Sequence, residues 1–89
     1  MSSYALPATV TMQQASAALR GVEAALAAGG DLQLDASGVV DLDTSAVALL
    51  LQARRLANKR GVGFTLTGAP PKLQALAALY GVESLLGSM

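Results

Sequence analysis

The sequence predicts an α/β domain, with a mixed but mostly parallel sheet of about four strands and helices packed mainly on one face. Three observations predict it. Short alternating segments and longer helical stripes follow in the order strand, helix, strand, helix, strand, helix. A strand–helix–strand crossover sets its two strands side by side and parallel. Segments 31–36 and 62–67 alternate apolar and polar residues, whereas parallel strands covered on both faces are apolar throughout. One sheet face is therefore covered and the other is more open. The third observation is compositional: 53% of residues are apolar, yet there is no Trp, one Phe and two Tyr. The core must be Leu, Val and Ala, and Ala at contact positions lets helices sit close to the sheet.

Residues 4–10 read as a short strand weakened by Pro7, which suits an edge or a strand end. Tyr4 would cover that edge. Thr11 is the expected cap of the first helix, residues 12–28. Its apolar stripe runs Ala15, Ala18, Leu19, Val22, Ala25 and Leu26 at helical spacing. Gly29 and Gly30 end it. In the strand 31–36, Leu32, Leu34 and Ala36 face one way and Gln33 and Asp35 the other. Val39-Val40 extends or follows it. The second helix spans 44–60 and closes on Arg60-Gly61, a cation and then a glycine. In 62–67 the apolar set is Val62, Phe64 and Leu66. Gly68-Ala69-Pro70-Pro71 turns into a third helix, since proline is tolerated in a first helical turn. Leu73, Leu76, Ala77 and Tyr80 form its stripe, and Gly81 ends it. A last helical turn is expected around 84–86.

The 89 residues suit a single domain, 1–89, with a modest core. Six basic and six acidic residues cancel. Phosphate-backbone binding and a polybasic membrane anchor both need clustered positive charge, so neither is expected. There is no Cys, hence no disulfide framework or thiolate chemistry, and no His, the commonest general base. The first residues carry no basic segment of a signal peptide, and no run approaches the ~18 apolar residues of a membrane span. A cytoplasmic protein is expected.

The segment "VDLDTSAVALLLQARRLANKRG" holds the candidate site. On a helical wheel Ala46, Leu49, Leu50, Ala53, Leu56 and Ala57 form the core side. Gln52, Arg54, Arg55, Asn58 and Lys59 lie opposite, as a solvated side should. Val47, Ala48 and Leu51 share that opposite side, nearly in line with Thr44. An apolar patch beside a hydroxyl is the pattern of a partner-binding surface; Leu51 under a neighbouring loop or helix is the alternative. Asp43 or Thr44 can cap the free N–H groups of the first turn. The same end would accommodate a phosphate on Thr44, which would add close to two negative charges to the patch. Arg54, Arg55, Lys59 and Arg60 read as a solvated face and helix-dipole partners, or as partners for acidic groups on another protein.

An enzyme reading needs a nucleophile, a base and a stabiliser. Thr44 and Ser45 carry hydroxyls and Asp35, Asp41 and Asp43 carry carboxylates, but nothing nearby in sequence activates them. The carboxylate spacing is not that of a calcium loop, and no Gly-x-x-x-x-Gly-Lys loop is present. No catalytic, metal or cofactor residue is expected.

The longer stretch "LQLDASGVVDLDTSAVALLL" resembles the signature of the STAS family, the sulfate-transporter and anti-sigma-factor-antagonist domains. Asp35 and Ser37 match its Asp-x-Ser part, and Asp43, Thr44, Ser45 and Ala46 match its second part at a helix start. The resemblance spans roughly residues 32–86. It implies a STAS-like single domain that works by protein–protein interaction, with Thr44, Ser45, Val47, Ala48, Leu51 and Arg55 as the partner-binding set. "DTSAVALLLQARRLANKRG", "FTLTG" and "LQALAALYGVESLL" are more similar to the STAS subunits of Mla-type ABC transporters. That branch implies a regulatory or assembly subunit for phospholipid trafficking, bound to the cytoplasmic ATPase subunit and so peripheral to the inner membrane. The other branch implies an anti-sigma-factor antagonist, phosphorylated on Thr44 by a kinase that is also its anti-sigma factor. A homodimer of the isolated domain through the apolar patch is left open. The chain departs from the family at Ser45-Ala46, where a small Gly-rich pair is more usual, and at Asp41, where an apolar residue is common. The family also commonly begins with a two-strand hairpin. Here only about one strand precedes Met12, so a strand is expected to be missing or supplied by another chain.

Overall fold

In chain order the elements are strand β1 (Ser2–Ala5), strand β2 (Thr9–Val10), helix α1 (Ala15–Ala27), strand β3 (Leu32–Asp35), strand β4 (Asp41–Leu42), helix α2 (Thr44–Lys59), strand β5 (Phe64–Thr67) and helix α3 (Pro71–Leu79). They come from a computed structural model that describes residues 2–82 and 84. The last helical turn expected around 84–86 falls largely outside the described residues.

β1, β3 and β5 form a parallel sheet in that order, with Tyr4, Leu34 and Leu66 side by side. Every described ladder is parallel. The other two strands form a separate pair of two residues each, β2 with β4. The segment read as one strand over 4–10 is thus two strands with different partners. Pro7 sits in the break, where the missing N–H costs no ladder bond. Two short strands therefore precede α1, and they do not form a hairpin.

The parallel crossovers step one way across the sheet, and right-handed crossovers of that kind put their helices on one side. α1 packs on α2 and α2 on α3. Leu32, Leu34, Ala36 and Leu66 of the sheet are buried against Ala18, Val22 and Leu26 of α1, Leu50, Ala53 and Ala57 of α2, and Leu73 and Ala77 of α3. Fully burying one such Leu contributes about 1.5–3 kcal/mol. The opposite face carries Ser3, Gln33, Asp35, Thr65 and Thr67, all exposed or half-buried. The alternation in the sequence is this division.

Gly21 explains how β1 fits. A Cβ there would overlap the ring of Tyr4. The glycine costs α1 about 1 kcal/mol of helix propensity, and in exchange the Tyr4 ring lies over the edge of the sheet against the helix.

α1 starts later than expected. Its N-cap is Gln14, with no side-chain cap bond. Thr11 does not cap; its carbonyl accepts from the N–H groups of Gln14 and Ala15, each at 2.9 Å. The Met12 N–H donates to Asp43 Oδ2 at 3.3 Å. Met12 is thus tied to the start of α2, and residues 12–14 form a turn ahead of α1.

Candidate partner-binding site

The parallel strands all end at one edge of the sheet, and the N-termini of α2 and α3 lie at that edge. Sites in open α/β sheets lie there, since connecting loops and free helix N–H groups converge. Here the loops hold one another. The Val40 and Asp41 N–H groups both donate to the Ala8 carbonyl, at 2.8 and 3.0 Å. Asp35 Oδ1 accepts from the Ser37 N–H at 2.9 Å, closing the Asp-x-Ser turn. The Ser37 hydroxyl and then this N–H hold the Asp35 carboxyl below its ordinary pKa. Gly68, at φ +68°, backs onto the turn; a Cβ there would lie 2.7 Å from Ser37 Cβ and 3.0 Å from its backbone N.

Asp43 caps α2. Its Oδ1 accepts from the Ser45 N–H at 2.8 Å and its Oδ2 from Met12. The Ser45 N–H is the main reason its carboxyl sits below the ordinary value. Partial burial opposes this less strongly, and Met12, the Ser45 hydroxyl and the Lys72 charge add to it. The capping role is thus filled by Asp43, and Thr44 is left exposed. No hydrogen bond ties the Thr44 hydroxyl to the described residues. Ser45 is half-buried beside it, and Ala46 is buried, its Cβ in the core. Asp41 is exposed, because its strand pairs with β2 by backbone and turns that side chain outward.

Two apolar grooves flank the exposed ridge of α2. One, of about 390 Å³, is lined by Thr44, Val47, Ala48, Leu51, Tyr80 and Val82. The other, of about 270 Å³, lies toward α1 and includes Met12, Leu19, Ser45, Ala48 and Gln52. Ala48 belongs to both and is the crest between them. Arg55 continues the ridge, exposed, with its Nη1 donating to Gln52 Oε1 at 3.3 Å.

Three of the sequence expectations change. Val47 is only 5% exposed. It is the floor of the first groove and part of the core, because α3 and the residues after it close over that side of α2. Tyr80, read as part of the buried stripe of α3, is 55% exposed and forms the groove wall. It sits at the C-cap of α3, where Gly81 turns the chain and helical periodicity stops predicting direction. Met12, 77% exposed, lines the other groove and was not legible as a site residue. The sequence places it in the first helix, but α1 begins only at Ala15, so the period of that helix does not set its direction. Arg60, read as a dipole partner for its own helix, donates to the Leu26 carbonyl near the end of α1 at 3.4 Å.

Among the described residues no buried side chain is polar or charged, and no group of three acidic residues is placed to share a metal ion. Nor is any described helix long and apolar enough to cross a membrane. Among the described residues the edge presents a capped helix start, an exposed hydroxyl with no hydrogen-bond partner and an apolar ridge. That arrangement can bind a surface.

A family model described as "Mlab, STAS domain" matches residues 5–87. No curated protein and no solved structure matches the chain.

Proposed function

The chain belongs to the MlaB-type STAS domain family, and on that premise we propose that it is a non-catalytic regulatory subunit of a Mla-type ABC transporter for phospholipids. Its role in regulation or assembly is that of a STAS domain. The finer reading is that it binds the transporter's cytoplasmic ATPase subunit through the first half of α2 and so sits at the inner membrane without entering it. The observation that carries this reading is the ridge itself. Thr44 and Ala48 are exposed between two apolar grooves, and Asp43 rather than Thr44 supplies the cap. Small exposed residues between apolar grooves let a partner's side chains seat on both sides, as the core of an interface requires. Thr44 and Ala48 form the crest, Leu51 and Val47 the floor of one groove, Ser45 the edge of the other, and Arg55 the polar rim.

Thr44→Glu tests it. An acid in the first turn is favoured by the helix dipole, so far-UV circular dichroism and the unfolding midpoint stay near those of the parent. Calorimetry against the purified ATPase subunit is expected to show loss of binding, because a charge in the interface centre must be desolvated without a partner. Unchanged affinity refutes the interface. The exposed Thr44 hydroxyl also suits the anti-sigma-factor antagonists. Phosphate found on Thr44 in chain isolated from its source cells, with no ATPase binding, transfers the reading to them.

A further inference from the structure

We infer that the free chain pairs with a second copy of itself through α2, the two helices antiparallel about a two-fold axis near Leu51 and Gln52. The inference rests on the proposed function for what the pairing hides, namely the ATPase-binding ridge.

The argument begins with the distribution of charge. The net charge is zero, but α2 is polar along its length. Asp41 and Asp43 stand at its start, with Lys72 near Asp43 offsetting part of that charge. Arg54, Arg55 and Lys59 stand at its end, while Arg60 is turned to the Leu26 carbonyl of α1. Between them the outward stripe is Thr44, Ala48, Leu51 and Arg55, spaced by four, three and four residues, with Gln52 and Lys59 on its flank. A parallel pair of such helices would set like charges together. An antiparallel pair sets the acidic start of each against the basic end of the other. α2 runs from Thr44 to Lys59, so its midpoint falls between Leu51 and Gln52. A two-fold axis there brings Thr44, with the exposed Asp41 three residues before it, to the level of Lys59 of the second copy, and Ala48 opposite its Arg55; Asp41 and Lys59 are the rim pair, met twice in the dimer. The axis passes between Leu51 and Gln52, both half-buried, with the groove that Leu51 lines beside it. Ala48 is small enough for the helix axes to approach within the usual ~8–10 Å. One surface thus complements itself, as a two-fold interface demands.

The same geometry limits its strength. A helix of this length is about 24 Å long and about 10 Å wide with its side chains. That strip is far below the ~800 Å² per partner of a stable interface, even with Met12 and Tyr80 at its margins. The dimer is weak, depends on concentration and salt, and dissociates when an ATPase occupies the ridge. It covers exposed apolar groups until then.

Sedimentation velocity on the full chain over a dilution series tests this directly. At ~0.01 M ionic strength, where charges act over about 30 Å, a monomer–dimer equilibrium is expected, and at ~1 M salt it shifts to monomer. Lys59→Glu and Asp41→Lys each weaken self-association roughly tenfold, since two rim pairs are reversed in every dimer. An equimolar mixture of the two variants recovers it, because each copy then meets the opposite sign in both places. Circular dichroism confirms that both variants fold. A monomer at every concentration in low salt overturns the inference, as does a dimer indifferent to both variants or a mixture that fails to recover. The series uses this chain alone, so it succeeds or fails independently of ATPase binding. With ATPase added, a complex that retains the dimer on binding overturns the masking.

Discussion

Gly68→Ala is the substitution whose cost follows most directly from the geometry. Gly68 joins β5 to the turn before α3 at φ +68°. An L-residue in that left-handed region costs about 1–2 kcal/mol. The new methyl would also lie 2.7 Å from Ser37 Cβ and 3.0 Å from its Cα and N. Two of those atoms are backbone, so they yield only if the Asp35–Ser37 turn moves. Overpacking of this kind costs about 1–3 kcal/mol. The expected total is about 2–5 kcal/mol, against the ~4–13 kcal/mol that a chain of this length holds at 0.05–0.15 kcal/mol per residue. Urea unfolding followed by circular dichroism should show the midpoint fall with m unchanged, and the melting temperature should drop by at least about 8 °C. Hydrogen exchange should show the Ser37 amide losing protection, because its bond to Asp35 at 2.9 Å depends on the turn's position. Gly38→Ala is the control. It lies in the same turn, its φ is not positive, and a Cβ there meets nothing within 4 Å. It should be neutral or stabilising by up to about 1 kcal/mol. If the two variants differ by less than about 0.5 kcal/mol, the close approach of Gly68 to Ser37 does not constrain this end of the sheet.

Two further predictions concern the core edge and the cap. Gly21→Ala should destabilise the parent, because the methyl displaces the Tyr4 ring. In a Tyr4→Ala background the same change should stabilise by about 1 kcal/mol through helix propensity; equal effects in both backgrounds would refute the contact. Asp35 and Asp43 both have carboxyl pKa values lowered by hydrogen bonds, from an ordinary 3.8. Each therefore contributes stability that is present above that value and lost as pH falls through the lowered one. The stability gap between the parent and Asp43→Asn, read from urea midpoints, should be constant near neutrality and narrow below about pH 4. A gap that persists into stronger acid would show that the carboxylate charge is not what the cap uses.

The site was legible in part. The Asp-Thr-Ser start of α2 and its Arg60-Gly61 end could be placed because a cap and a left-handed stop act within a few residues of chain. The order of elements and the two-faced strands were readable for the same reason: alternation and helical spacing are local periods. The late start of α1 was not. It depends on Met12 reaching Asp43, thirty-one residues away. The split of the first strand at Pro7 was half legible, since the proline marks a break but not the partner on its far side.

A wheel assigns each α2 residue an angle, and that angle was correct for Thr44, Ala48 and Arg55 as exposed and for Leu49, Leu50 and Ala53 as buried. It cannot say which neighbour arrives at a given angle. Val47 became floor because α3 closes over it, and Tyr80 and Met12 became walls because they lie where their helices have ended or not yet begun. Periods along the chain thus set the order of the elements and the inward face, and local chemistry set the ends of α2. The shape of the ridge and its grooves was decided only by tertiary packing, since a groove exists between segments that are distant in sequence and no single segment encodes its other side.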